Sequence, residues 1–139
     1  MAHWLLKTEP EEFSWDDQVQ RGAKGEPWTG VRNFTARGNL KAMKKAEHAF
    51  FYHTGDEKQV VGIVEIIREA YPDKTDEKGV FVCVDTRAVK PFAKFVTLAE
   101  VKADPKLKTM VLAREPRLSV QSVTDEEWKL ICKMGGVKE

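Results

Sequence analysis

The sequence predicts an α+β fold in which short helices pack on the outside of a mainly antiparallel sheet or small barrel. Apolar, β-branched runs of strand length recur along the chain, and the links between them are short. Helix-start signals, two of them with the T-x-x-E capping-box pattern, lie in the connections. The chain has 139 residues, 42% of them apolar, and no Pro- or Gly-rich linker. We therefore expect one domain over residues 1–139.

Five segments have the composition of strands. The aromatic second segment stops at a turn signal, Thr54-Gly55-Asp56, and the third and fourth are β-branched. The link between the third and fourth contains two turn-like sequences, at residues 71–73 and 76–79. The predicted strands are His3–Lys7, Ala49–His53, Val60–Ile67, Val80–Thr86 and Arg117–Val120.

Helix starts are indicated by capping residues. Ser14 can cap a helix with Asp17 three residues on, and Thr97 and Thr124 each begin a T-x-x-E capping box. The second helix is predicted from apolar spacing alone. The predicted helices run from Ser14 to Gly22, Ala36 to Lys45, Thr97 to about Ala103 and Thr124 to Met134, with another turn or two within residues 105–113.

Composition disfavours several classes of protein. The chain contains no run of about 18 apolar residues, and its start lacks the basic and long apolar segments of a signal peptide. We therefore expect a cytoplasmic protein with no membrane contact, and we take a monomer as the starting expectation. Cys83 and Cys132 both lie in apolar patterns, which predicts two buried thiols. Because no CxxC pair or helical His pair exists, neither a metal nor another cofactor is expected.

Basic residues are concentrated in two blocks, although the net charge is only +1. Residues 21–53 carry seven basic and two acidic side chains, and residues 87–117 carry eight and three. In the fold, the two blocks could meet as one positive face. The alternative is scattered, solvated charge.

The loop over residues 22–34 has the composition of a ligand site. Trp28 offers a flat surface on which a base can stack, and Gly30 allows the backbone to approach a ligand closely. Arg32 and Asn33 offer directed hydrogen-bonding groups for phosphates or base edges. The alternative is that Trp28 is a core residue that fills the loop.

Catalytic motifs are scarce: the sequence has no Walker-type loop, G-x-G-x-x-G or G-x-S-x-G. An enzyme acting on a modified nucleotide or a small metabolite would use Glu9 and His53 as acid and base, with Lys7 nearby. The alternative for His53 is a hydrogen-bonded residue at a strand end. A third possibility is a protein-interaction module, whose function would depend on surface residues.

Five segments resemble, in order, the signature blocks of the EVE domain family. They are HWLLKTEP at residues 3–10, WTGVRN at 28–33, FYH at 51–53, YPD at 71–73 and RLSVQ at 117–121. KTEP near the start followed by WxGVRN is the most specific part of the resemblance. Two positions depart from the family pattern: Thr54, where serine is frequent, and Phe81, where tryptophan is frequent and which looks like a core strand position.

The resemblance implies a PUA-like fold, a mixed or antiparallel β pseudo-barrel flanked by short α-helices and related to YTH and ASCH domains. It also implies a nucleic-acid-binding module, not an enzyme, that recognises a modified base of DNA or RNA in an aromatic-lined pocket. The residues expected to line that pocket are Lys7, Thr8, Glu9, Trp28, Gly30, Val31, Arg32, Asn33, Tyr52, His53, Arg117, Leu118 and Ser119.

In this arrangement Trp28 stacks on the base, Tyr52 bounds the opposite side, and Glu9, Asn33 and Ser119 read the base edge. Replacing Trp28 with alanine is then expected to abolish binding and leave the fold intact. Basic residues around the mouth would hold phosphates and make affinity fall as salt rises. These residues are Arg32, Arg37, Lys41, Lys44, Lys45 and Arg117.

Overall fold

The computed structural model describes residues 1–138 and shows one mixed sheet of six strands with five short helices, which confirms the α+β class. The strands are β1 (His3–Thr8), β2 (Glu26–Pro27), β3 (His48–His53), β4 (Gln59–Pro72), β5 (Val82–Thr97) and β6 (Val120–Val123). The helices are α1 (Trp15–Gln20), α2 (Phe34–Ala42), α3 (Leu98–Ala103), α4 (Val111–Arg114) and α5 (Asp125–Met134).

The strands lie side by side in the order β2-β5-β4-β3-β1-β6. β1 and β3 pair in parallel, which their connection permits because it is long enough to contain α1 and α2. All other neighbours are antiparallel. Four register shifts between β4 and β5 bend the sheet. The edge strands β2 and β6 do not pair with each other within residues 1–138, so the sheet remains open and does not close into a ring.

Apolar side chains cover both faces of the sheet. The alternation along β1 places Trp4 and Leu6 on one face and Leu5 on the other, as the two-residue period of a strand requires. The Trp4 face packs against α1 and α2, and the Leu5 face packs against α3, α4 and α5. Both cysteines, Cys83 and Cys132, are free and buried, as predicted.

Three helix starts agree with the sequence, whereas several other boundaries differ. Complete capping boxes begin α1, α3 and α5 at Ser14, Thr97 and Thr124. Helix α2 begins at Phe34 because Asn33 caps it, and it ends at Ala42, three residues before the predicted end.

The β4–β5 hairpin is longer than predicted. The ladder between the two strands continues beyond the buried part of the sheet, where the Tyr71 hydroxyl donates to the Asp85 carboxylate. Residues 71 and 72, expected in a turn, therefore pair with β5 instead. Strand β6 begins at Val120, where the predicted strand ended, because residues 120–123 pair with β1. None of the helices within residues 1–138 is long and apolar enough to cross a bilayer.

Gly62 on β4 allows the indole of Trp15 to lie directly on the sheet. A Cβ atom at position 62 would lie 2.6 Å from Cη2 and Cζ3 of that ring. We therefore expect Gly62→Ala to lower the free energy of unfolding by about 1–3 kcal/mol through overpacking, measured by urea denaturation. Gly38 on α2 is the matched control: its Cβ would meet nothing within 4 Å, so Gly38→Ala should be neutral or stabilising. Equal stabilities of the two variants would contradict this account of Gly62.

Candidate nucleic-acid interface

A cavity of about 600 Å³ opens beyond the carboxyl ends of the parallel strands β1 and β3. Its walls come from the segment after β1, the loop between β2 and α2, and the segment before β6. The lining residues are Lys7, Thr8, Glu9, Glu12, Phe13, Arg21, Glu26, Pro27, Trp28, Thr29, Gly30, Val31, Arg32, Thr54, Pro116, Arg117 and Ser119.

Most of the residues predicted for the pocket lie around this one cavity. They come from three distant parts of the chain: the segments after β1 and before β6 meet because these strands are neighbours in the sheet, and the Trp28 loop reaches them across the face that carries Phe51. A backbone hydrogen bond of 2.9 Å from Lys7 N to Ser119 O continues the β1–β6 pairing into the wall. The predicted residues around the cavity are Lys7, Thr8, Glu9, Trp28, Gly30, Val31, Arg32, Arg117 and Ser119.

Trp28 lies between the core and the cavity. Its backbone N–H donates to Val84 O at 2.7 Å, and its ring packs edge-to-face against Phe51, with centroids 5.5 Å apart. Only 7% of the residue is exposed, yet it forms part of the cavity wall. Trp28 is therefore both a core residue and a boundary of the hollow.

Tyr52 lies on the other face of the sheet from Trp28. It belongs to the apolar cluster of Leu5 and Phe50, and burial raises its pKa to about 12. Adjacent residues of a strand point to opposite faces, so Phe51 contacts Trp28 and Tyr52 faces the other side. The second aromatic ring at the cavity is instead Phe13, whose centroid lies 6.1 Å from that of Trp28.

His53 is buried, and both of its ring nitrogens are used within the protein. Nε2 accepts from Trp15 N at 3.1 Å, and Nδ1 contacts Glu57 Oε1 at 2.8 Å. His53 is therefore the hydrogen-bonded strand-end residue that the sequence offered as the alternative to a catalytic role. Glu9 lines the cavity and accepts from the Thr54 hydroxyl at 3.1 Å, so the structure does not bring Glu9 and His53 together as an acid–base pair.

Asn33 and Leu118 also lie outside the main cavity. The Asn33 side chain accepts from Ala36 N at 2.9 Å and is therefore committed to capping α2. Both residues line a smaller neighbouring hollow of about 280 Å³, which shares Pro116 and Arg117 with the main cavity.

The loop that carries Trp28 is fixed by Asp73, a buried residue at the end of β4. One carboxylate oxygen accepts from Gly30 N at 2.9 Å and from Arg32 Nη1 at 3.2 Å. The other accepts from the backbone and the hydroxyl of Thr75. Gly30 has a φ of 87°, a conformation that glycine adopts without strain.

Asp73 supports the cavity loop, whereas the sequence predicted it only as part of a turn. Burial by itself raises the pKa of this carboxyl, but the hydrogen bonds from Thr75, Gly30 and Arg32 outweigh burial and lower the pKa below its usual value. The signal that could have identified it is its place in the YPD block, one of the five segments that resemble the family.

Charges of both signs surround the cavity. Four basic side chains, Lys7, Arg21, Arg32 and Arg117, face three carboxylates from Glu9, Glu12 and Glu26. Arg21 pairs with Glu26 at 2.9 Å. Lys7 donates to Pro116 O at 3.0 Å, and burial lowers the pKa of its ammonium group. The guanidinium of Arg117 makes no hydrogen bond within the described part of the chain, and it lines the cavity, where a ligand can reach it.

The predicted positive face is only partly assembled at the cavity. The backbone N–H groups of Lys44 and Lys45 bond to Glu47 and Glu69, and Glu47 also binds the Trp4 indole near the start of β1. The cavity lies beyond the other end of this six-residue strand, roughly 16 Å away. Lys44 and Lys45 are therefore remote from the mouth. Lys41 lies in the last turn of α2, and it too is outside the lining.

Arg37 also lies outside the cavity, where it packs over the exposed ring of Phe34.

Among residues 1–138, no group of three or more His, Cys, Asp or Glu side chains is arranged to hold a metal ion.

Comparison with known proteins identifies relatives over the whole chain. The family model for the EVE domain matches residues 2–134. Human thymocyte nuclear protein 1 is 34% identical over 96% of this chain and 73% of its own length. A protein from Rhodopseudomonas palustris is 58% identical and has a TM-score of 0.93, with 100% of this chain and 96% of that one covered.

Two further structures contain nucleic acid. The human THYN1 protein in complex with DNA containing 5-methylcytosine is 33% identical, with a TM-score of 0.91 and 100% coverage of both chains. A YTH domain from Zygosaccharomyces rouxii MRB1, in complex with N6-methyladenosine RNA, is 14% identical with a TM-score of 0.58. The alignment covers 99% of this chain and 86% of the YTH chain, and at that identity the likeness shows a shared fold alone.

Proposed function

The chain belongs to the EVE domain family, and from this we propose that it binds nucleic acid by holding a modified base in the cavity beside Trp28. The observation that carries the proposal is the convergence of an indole, the Arg117 guanidinium and hydrogen-bonding groups on one hollow of suitable size. The related human protein in complex with 5-methylcytosine DNA supports the ligand class.

Entry of a base requires that its nucleotide leave the stack. This costs a few kcal/mol in a duplex and less in a single strand. Contact with an aromatic side chain returns about 1–3 kcal/mol. The carboxylate of Glu9 can accept a hydrogen bond from an exocyclic amino group, which favours a base such as cytosine. DNA carrying 5-methylcytosine is therefore the first ligand to test.

The experiment is a binding titration by fluorescence anisotropy with single-stranded and duplex oligonucleotides. Each contains one central modified or unmodified base, in DNA or RNA, and is measured at low and high salt. We expect tighter binding to a modified strand under both conditions. Equal affinity for every modified and unmodified pair would overturn the proposal. Chromatography of the same mixtures tests the enzyme alternative, because a binder leaves its ligand unchanged.

Arg117→Ala is expected to weaken binding and to lower its salt dependence. Loss of one phosphate contact should reduce the slope of log affinity against log salt by about 0.7–1. Lys44→Ala is the matched control because it removes the same charge at the opposite end of β1. Identical slopes for the two variants would contradict a phosphate contact at Arg117.

A further inference from the structure

An aromatic pair lies on the surface immediately beside the cavity. Phe34, the first residue of α2, is 65% exposed, and its ring centroid lies 5.2 Å from that of Phe81 at an interplanar angle of 33°. Phe81 was expected in the core of a strand. It lies instead just before β5, half-buried, where it supports Phe34.

Two arginines hold these rings. The guanidinium carbon of Arg37 lies 5.1 Å from the centroid of Phe34, and that of Arg32 lies 5.7 Å from the centroid of Phe81. Arg37 also donates to Val80 O at 3.1 Å, which ties α2 to the segment before β5. We call Phe34, Phe81, Arg32 and Arg37 the aromatic platform.

Contacts within the protein hold the platform in place. The Asp76 carboxylate accepts from the backbone N–H groups of Val80 and Phe81, both at 2.8 Å, and so fixes the turn that presents Phe81. Despite its contacts with Phe81 and Arg37, nearly two thirds of Phe34 remains in contact with water. An exposed aromatic surface of this kind, bordered by cations, matches the surfaces on which single-stranded nucleic acids stack their bases.

The platform and the cavity share a residue. Arg32 lines the cavity and also covers Phe81. The Cα atoms of residues 32 and 34 are at most about 7.6 Å apart, since consecutive Cα atoms are separated by 3.8 Å. A strand whose modified base occupies the cavity therefore passes close to the platform. Among residues 1–138, Arg37 uses one of its five N–H groups in a hydrogen bond, to Val80 O, so the others can meet a phosphate.

We propose that the aromatic platform is a second stacking site, which takes the base adjacent to the modified base in a single-stranded or locally opened DNA. This inference rests on the proposed function of the cavity. It deepens that function by extending the footprint from one nucleotide to at least two. Because every base has a π face, the platform adds affinity without selecting the sequence of the neighbour.

The test combines a protein change with a ligand change. Single-stranded DNA with a central 5-methylcytosine is compared with two strands in which the 5′ or the 3′ neighbour is abasic. For the wild-type protein, we expect one of the two abasic strands to bind about tenfold more weakly, as befits loss of one stacked base. For Phe34→Ala, the intact strand should bind about tenfold more weakly, and neither abasic site should add a further loss.

Phe95→Ala is the matched control, since Phe95 is an exposed phenylalanine on β5, 45% accessible and outside the cavity lining. It should behave as wild type with all three strands. Phe34→Leu keeps apolar bulk without a π face and should resemble Phe34→Ala. If the affinity loss caused by Phe34→Ala simply adds to the loss caused by each abasic neighbour, the platform proposal is overturned.

Other outcomes separate the two proposals. If the protein prefers the modified base but Phe34→Ala does not change DNA affinity, the platform proposal alone is overturned. Loss of that preference, with the Phe34 and abasic effects retained on any strand, would overturn the cavity proposal alone. Analytical ultracentrifugation tests whether a second copy of the chain, rather than DNA, binds the platform. A wild-type dimer that Phe34→Ala converts to monomer without changing DNA affinity would overturn the platform as a nucleic-acid site.

Discussion

Asp73→Asn is expected to lower the free energy of unfolding by about 3 kcal/mol or more at neutral pH and to weaken ligand binding. The carboxylate accepts from two donors at each oxygen, and its side chain is fully buried. Asparagine keeps one acceptor oxygen and turns an NH₂ group towards the other two donors. Each hydrogen bond to a charged group is worth about 1.5–3 kcal/mol. Urea denaturation measures the loss.

The same variant predicts a pH dependence with a defined sign. Because the folded protein lowers the pKa of Asp73, the carboxylate contributes stability that is complete above the unfolded pKa, near 4, and is lost as the pH falls through the folded pKa. The stability difference between wild type and Asp73→Asn should therefore be constant around neutrality and shrink below about pH 4. Glu77→Gln, at an exposed position in the same turn, should show no such difference. A difference that stays constant down to pH 2 would contradict the role of Asp73.

The elements of this fold were largely predictable because their signals are local. Capping residues such as Ser14, Thr97 and Thr124 determine helix starts through contacts three residues away, and all three caps formed as predicted. The parallel pairing of β1 with β3 was not predictable in the same way. It depends on how the segment between the strands folds across the sheet, and short links elsewhere favoured an antiparallel arrangement.

The site was predictable where the motif itself forms a wall. Residues 28–32 contribute to the cavity through their own loop, so their composition was informative. Whether the side chains of Tyr52 and His53 face the cavity depends on contacts that are distant in sequence. Strand β3 is buried on both faces, which removes the alternation that would show which face borders the cavity. The partner that occupies His53 Nε2 is the backbone of Trp15, 38 residues away in sequence.

The remaining differences between prediction and structure arise at the ends of helices and strands and from hydrogen bonds between residues distant in sequence. The early end of α2 at Ala42 moves Lys44 and Lys45 into the turn that leads to β3, at the far end of the sheet from the cavity. Asp73 fixes the cavity loop across 43 residues through its bond to Gly30 N. A single sequence contains no local signal for such a contact.

Trp28→Ala is expected to reduce both stability and binding, and the two effects need separate measurement. Because Trp28 is buried against Phe51 and Phe13, truncation should cost about 3–5 kcal/mol of unfolding free energy. This burial argues against the expectation that the alanine variant keeps the fold undisturbed. Loss of the indole from the cavity wall should also weaken binding of a modified oligonucleotide about 5- to 150-fold, the equivalent of 1–3 kcal/mol.

Trp15→Ala separates packing from ligand contact. Trp15 is also buried, and its ring packs against Phe51 with centroids 5.3 Å apart, but it lies outside the cavity lining. The two alanine variants should therefore lose similar stability, whereas only Trp28→Ala should lose affinity when both are measured at a temperature where they remain folded. Trp28→Phe, which retains a smaller ring, should fall between wild type and Trp28→Ala in both measurements. Equal affinity losses for Trp15→Ala and Trp28→Ala would show that Trp28 acts through the packing of the core and would remove the indole from the binding mechanism.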